Sequence, residues 1–103
     1  MIEHKEGIYN FYVYIITNKN KTVLYTGVTN NLKLRLHPHR EKNNPKSFTA
    51  KYNVHYLLYF EHFGWIQQAI VREKEIKDLT RQKKLNLIQD ENPEMKFLNH
   101  YFE

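Results

Sequence analysis

Apolar positions along the chain fall into blocks whose spacing changes along its length. From Asn10 to Thr17 and from Thr22 to Val28 they are dense and rich in Tyr, Val and Ile, and the polar segment Asn18-Lys19-Asn20-Lys21 separates them. Two such runs around a short polar segment predict a β-hairpin. In the first run Phe11, Val13 and Ile15 fall on one side of an extended strand and Tyr12, Tyr14 and Ile16 on the other, because strand side chains alternate with a period of two. Both sides are apolar, so this strand is expected to be central, in a sheet covered on both faces. Leu32, Arg35, Leu36 and His39 then recur at helical spacing up to about Arg40, with Asn30 or Asn31 as the N-cap.

After a polar loop from Glu41 to Ser47, Val54 to Phe63 is a third strand-like run, which Gly64 ends. Trp65 to about Asp78 predicts a second helix with Ile66, Ala69, Ile70 and Ile76 as its apolar face and Trp65 as a core or helix-start anchor. Thr80 to Glu91 predicts a third helix, stopped by Asn92-Pro93. Met95, Phe97, Leu98, Tyr101 and Phe102 are left for an apolar tail folded back on the core. The expected class is α+β, a small three-stranded antiparallel or mixed sheet flanked by helices. Residues 1–103 are expected to form one domain, with a core at about 11–92 and a tail at 93–103.

Composition narrows the chemistry. Cysteine is absent, which excludes a disulfide framework and a thiolate zinc site. No apolar run approaches the ~18 residues of a membrane span, and the first residues lack the order of a signal peptide, so a cytoplasmic protein without membrane contact is expected. Sixteen Lys and Arg against eleven acidic residues give a net charge of +5, a balance that favours a polyanionic partner such as nucleic acid.

Several polar side chains interrupt the apolar pattern. With the hairpin loop centred between Lys19 and Asn20, Tyr14 is expected directly opposite Tyr25, two phenols on one face. The literal Gly7-Ile8-Tyr9 has no such partner, since Tyr9 falls on the other side of the strand from Tyr14. Arg35 and His39 share a helix face with Leu32 and Leu36 and so edge toward the sheet. Glu73 lies three residues from both Ile70 and Ile76 and interrupts their stripe, whereas Glu75 turns to solvent. A carboxylate there needs a cation, either Arg35 in a structural ion pair or a bound Mg²⁺ or Mn²⁺. Carboxylate, arginine fork and phenol or imidazole together suit phosphodiester hydrolysis. Gly27 marks either a close approach of backbone to phosphate or a β-bulge. His37 and His39 alone make a poor zinc site for want of a third ligand.

On these residues the sequence resembles the GIY-YIG nuclease superfamily, in particular its small bacterial single-domain members related to the amino-terminal domain of excinuclease C. Val13-Tyr14-Ile15 stands at the GIY element and Leu24-Tyr25-Thr26-Gly27 at the YIG element, eleven residues apart. Asn31-Leu32-Lys33-Leu34-Arg35-Leu36 resembles its N-L-x-x-R-L segment and Ala69 to Glu73 its A-x-x-x-E helix, within a match from about Phe11 to Asn92. The resemblance implies an endonuclease whose active site is Tyr14, Tyr25, Arg35, His39 and Glu73, with Glu73 the ligand of one Mg²⁺ or Mn²⁺ and a tyrosine as or beside the general base. It also implies an asparagine after the glutamate helix, Asn86 or Asn92, of which Asn86 is preferred. Val13 and Thr26 depart from the motif, and Pro38, which costs a helix interior ~3 kcal/mol, bears on the aim of His39.

Lys77, Arg81, Lys83 and Lys84 form either a solvated helix face or a phosphate-binding edge, and Lys51 with Tyr52 is a further contact candidate. Two rival functions remain: a non-catalytic nucleic-acid-binding module of the same fold, and a protein-interaction adaptor using exposed Tyr and Phe. The catalytic reading carries a structural requirement, that both phenols, Arg35 and Glu73 converge on one cleft. DNA is the expected substrate, and a protein partner for targeting is compatible with the absence of an attached recognition domain.

Overall fold

The computed structural model describes residues 10–37 and 51–103. Strand β1 (Phe11–Thr17) lies between β2 (Leu24–Thr29) and β3 (Tyr56–Phe63), antiparallel to both. The two-sided apolar pattern of β1 requires that central place, and Val13, Tyr14, Ile15 and Ile16 are all buried. One face packs Val13, Ile15, Leu58 and Tyr59 against Ala69 and Ile76 of helix α2 (Ile66–Lys77) and Ile88 of α3 (Arg81–Glu91). The other packs Tyr14, Ile16 and Leu57 against Val54 and against Leu32 and Leu36 of the short helix α1 (Leu32–Leu36), with Leu98 and Phe102 of the tail alongside. A register shift on β3 pairs Ile15 with Tyr59 but Ile16 with Leu57, which leaves Leu58 as an extra residue. Among the described residues no helix is long and apolar enough to cross a membrane.

The hairpin register differs from the expected one. Tyr14 faces Gly27, and Tyr25 faces Ile16. The last pair is Thr17 with Leu24, so the loop is centred between Asn20 and Lys21. Asn18 causes the shift: its Oδ1 accepts the backbone N–H groups of Thr22 at 2.8 Å and Val23 at 3.1 Å, taking over from ladder partners, and Thr17 Oγ1 donates to the Val23 carbonyl at 2.7 Å. Moving the partner of Tyr14 by two residues keeps every side chain on its face. The two phenols are therefore diagonal neighbours on one face, not directly opposed.

Helix boundaries follow local chemistry. Asn31 caps α1, its Oδ1 accepting from Leu34 N at 3.1 Å, and Thr80 caps α3, its Oγ1 accepting from Lys83 N at 3.2 Å. α1 stops at Leu36, short of the expected Arg40, because His37 adopts an extended conformation (φ −74°, ψ 122°), the one that a following proline imposes. On α2 the buried positions are Ala69 and Ile76, while Ile66 and Ile70, expected in the core, are exposed. Trp65 occupies the N-cap position but is 69% exposed, so it is no core anchor. The tail ends in a 3-10 turn, Asn99–Phe102, held to β3 by Asn99 and by the Leu98 backbone. Asn99 accepts from Leu57 N at 2.8 Å and donates to the His55 carbonyl at 2.9 Å, and Leu98 N donates to the Leu57 carbonyl at 2.8 Å.

Candidate active site

The site begins with a glycine that makes room for a phenol. A Cβ on Gly27 would stand 2.6 Å from Cζ of Tyr14 and closer still to its Oη. The β1–β2 register runs unbroken through Gly27, so it is not a bulge. What lies against its backbone is the Tyr14 ring, which crosses β2 where any side chain would block it.

Across that ring comes Arg35. α1 is only five residues long, yet Leu32 and Leu36 anchor it in the core, and this fixes the direction of Arg35 between them. Arg35 Nε donates to Tyr14 Oη at 2.7 Å. The guanidinium carbon sits 5.5 Å from the Tyr14 ring centroid and 5.7 Å from that of Tyr25, cation–π distances to both. Tyr14 is 2% exposed, whereas Tyr25 is only half-buried. The hydroxyl of Tyr14, accepting from Arg35, directs its own proton away from the guanidinium.

The other expected residues are distributed differently. Glu73 is on α2, whose buried face packs on the opposite side of the sheet from Tyr14, chiefly against β1 and β2. Its side chain is 16% exposed and pairs with Lys77 at 3.2 Å, so it does not form the Arg35 ion pair. Two phenols and Arg35 thus converge on one face of the sheet, whereas the helix that carries Glu73 packs on the other, so the single cleft that the catalytic reading requires of all four holds three of them. Asn86 is exposed on α3 and accepts from Gln82 Nε2 at 3.0 Å. His39 and Pro38 lie outside the described residues, and α1, expected to carry His39, ends before it. Lys51 is exposed, its ammonium 5.5 Å from the Tyr52 ring. Lys77, Arg81 and Lys83 are exposed and Lys84 is half-buried.

The donor set limits the metal. Among the described residues no three His, Cys, Asp or Glu side chains cluster. Glu73 is a hard, partly buried carboxylate that could serve as one ligand of Mg²⁺ or Mn²⁺, which bind through one or two carboxylates and keep several waters, and the Lys77 ammonium at 3.2 Å competes for it.

One polar grouping had no counterpart in the sequence, and Asn92, the alternative to Asn86, has other partners. Arg72 Nε donates to Glu61 Oε1 at 2.9 Å and Nη2 to Oε2 at 2.9 Å, and the Tyr59 hydroxyl also donates to Oε2. Burial opposes ionisation of Glu61, but the hydrogen bonds from Arg72 and Tyr59 outweigh it and hold the carboxyl below its usual value. Burial, with the Glu61 carboxylate, pushes the Tyr59 phenol up. Asn92 is likewise fully engaged: Nδ2 donates to the Leu58 carbonyl at 3.0 Å and the Lys96 carbonyl at 2.8 Å, and Oδ1 accepts from Lys96 N at 3.0 Å. It fastens the tail to β3, a structural duty. The spacing of Glu61 and Arg72, eleven residues apart on different elements, carries no local periodicity that could have paired them.

Comparison with known proteins agrees with this geometry. Residues 10–86 match the family model of the GIY-YIG catalytic domain. A UPF0213 protein of Clostridium perfringens is 44% identical over 77 residues, covering 75% of this chain and 81% of that one. One from Staphylococcus haemolyticus is 38% identical over 79 residues, covering 77% and 94%. The solution NMR structure of a UPF0213 protein from Bacillus halodurans superposes with a TM-score of 0.53 at 28% identity, covering 82% of this chain and 88% of that one. The three-stranded antiparallel sheet with flanking helices, the Tyr14, Tyr25 and Arg35 cluster on one of its faces and these matches lead to one assignment: the chain belongs to the GIY-YIG family, alongside the small UPF0213 proteins.

Proposed function

We propose that this protein is an endonuclease that hydrolyses phosphodiester bonds of DNA with the help of one Mg²⁺ or Mn²⁺. The observation that carries the reading is Arg35, fixed by its 2.7 Å hydrogen bond to Tyr14 and placed over two phenol rings. Nε is committed to Tyr14, and that fixes the plane of the guanidinium fork, which suits the non-bridging oxygens of a phosphate. Tyr25, the less buried phenol, orients the attacking water, while Tyr14 positions Arg35. His39 and Asn86 complete the proposed set as a proton carrier and a polar substrate contact. Glu73 would hold the metal, which when bound supplies Lewis-acid polarisation of the phosphate. Because α2 packs against β1 and β2 from the other side of the sheet, Glu73 would have to reach this chemistry around the outer edge of β2, and a metal held there would take the place of the Lys77 ammonium.

That placement of Glu73 also favours a second reading, a nucleic-acid-binding module without turnover. The deciding experiment is cleavage of labelled DNA and RNA by the native protein with Mg²⁺ or Mn²⁺, beside Arg35→Ala, Tyr25→Phe and Glu73→Ala. Cutting by the native protein that chelation and each substitution abolish is the expected result. Salt-sensitive binding without cutting transfers the proposal to the binding module, and cutting that survives Glu73→Ala removes Glu73 from the site.

A further inference from the structure

Two short segments depart from the residue types that their own backbones favour, and both departures place positive charge on the same surface. Lys21, in the β1–β2 loop, has φ 59°, a left-handed conformation that glycine or asparagine adopts more cheaply. The first turn of α3 contains no acidic residue and begins with Arg81, Lys83 and then Lys84, although the helix dipole favours carboxylates there and penalises cations. The two segments touch: Arg81 Nη2 donates to the Lys21 carbonyl at 3.4 Å. Local rules broken together at one place point to function more than to stability.

The surface has a definite composition. On α3, Arg81 and Lys84 are three residues apart and share a face, whereas Lys83 leaves from another side of the helix. Lys19, Lys21 and Arg81 are exposed and Lys84 is half-buried. Among the described residues none of the four has a carboxylate partner within ion-pair distance. Asp78 at the end of α2 is the neighbouring acid in sequence. The Lys21 ammonium stands 5.2 Å from the Phe97 centroid, so it covers that ring and takes it away as a stacking platform for unpaired bases. Tyr25 pairs with Ile16, one rung from the Thr17–Leu24 pair that closes the hairpin, which puts the Lys21 loop roughly 10–15 Å along β2 from Tyr25 at ~3.3 Å per strand residue, at the end of the sheet where Arg81 of α3, a helix that packs on the opposite face, meets it.

We infer that Lys19, Lys21, Arg81 and Lys84 form a ridge that holds the sugar-phosphate backbone of duplex nucleic acid beside the Tyr25 site, by charge and without reading bases. The inference deepens the proposed function and rests on its nucleic-acid substrate. It also makes Lys83 a bystander of the same charge in the same helical turn.

The test is equilibrium binding of a short labelled DNA duplex, with chelator present so that nothing is cut, across a salt titration. Native protein is compared with the Lys21→Asn/Lys84→Gln double variant and Lys83→Gln, and each is also melted thermally. Losing two phosphate contacts should weaken binding ~10-fold at low salt and flatten the log–log salt slope by about 2. The melting temperature of the double variant should hold or rise, and Lys83→Gln should bind nearly as the native protein does. A loss of log affinity for Lys83→Gln of about half that of the double variant, or more, would reduce the effect to net charge and overturn the ridge. So would unchanged binding by the double variant, a lower melting temperature, or tighter binding of the single strand than of the duplex. Native protein that binds no nucleic acid at all would overturn the proposed function together with the ridge, whereas duplex binding that ignores only the ridge substitutions overturns the ridge alone.

Discussion

Under α2 and α3 the sheet sets Val13, Ile15 and Leu58 against Ala69, Ile76 and Ile88, and the polar groups on this side, Tyr59, Glu61 and Arg72, satisfy one another. Under α1 the other face has comparable apolar packing from Ile16, Leu57, Leu32 and Leu36, yet Tyr14, Tyr25 and Arg35 are set into it. The first arrangement uses its charges to close a core. The second uses a core to aim a charge, since α1 is too short to be stable alone and owes its position to two buried leucines. The contrast teaches that polar groups inside a packed face can serve opposite ends, and that what separates them is where the cation points.

The contrast breaks most sharply at Gly27. Gly27→Ala should cut the proposed nuclease activity by ~100-fold, because displacing the Tyr14 ring by about 1 Å misaims Arg35, with a stability cost of about 1–3 kcal/mol from overpacking. Cleavage rate and melting temperature read the two effects, and native-like cleavage would show that the Tyr14 position is immaterial.

A matched pair of arginines gives the next largest effect. Arg35→Lys keeps charge but loses the planar fork, and should lower cleavage by ~10–100-fold while melting within about 1 kcal/mol of the native protein. Arg72→Lys should do the reverse, costing about 1–2 kcal/mol, since its pair with Glu61 is only partly shielded from solvent, and leaving cleavage within ~3-fold. Parallel losses in both assays for either variant would erase the distinction between the faces.

The self-satisfied cluster also makes stability pH-dependent. The folded-state pKa of Glu61 is depressed from 4.5, so its contribution is fully present above that value and is lost as pH falls through the lower folded value. The Tyr59 phenol is raised from 10.0, so its contribution holds below pH 10.0 and is lost as pH rises above it. Denaturant titrations of the native protein and Glu61→Gln should converge in acid, and a constant difference between them down to low pH would contradict the assignment.

The smallest effect concerns Thr26, whose Oγ1 is buried with no hydrogen-bond partner among the described residues. Thr26→Val keeps the shape and removes that unsatisfied group, and should stabilise by up to about 1 kcal/mol in denaturant unfolding. A destabilised variant would mean that the hydroxyl has a partner.

Much of the fold was legible because its signals are local. The alternation in β1 announced a central strand, Asn31 and Thr80 announced helix starts, and the residue pair Asn92-Pro93 announced a helix end. Errors arose where one side chain redirected backbone hydrogen bonds, as Asn18 does in the hairpin loop, or where periodicity could not say which helix face meets the sheet, as with Ile66 and Ile70. Of the candidate site, the shared face of Tyr14 and Tyr25 survived a misjudged register because an error of two residues preserves strand parity.

Residue spacing by itself determined the elements, the central place of β1 and which side chains share a face, because strand and helix periods are properties of the backbone. Only the tertiary structure decided that Gly27 exists to admit the Tyr14 ring, that Arg35 bonds to that phenol, that Glu73 answers to Lys77 behind the sheet, and that Glu61 belongs to Arg72. Each of these is a meeting of side chains from different elements, or of a helix with the side of the sheet it covers, and its partner is selected by packing direction, which no local period encodes.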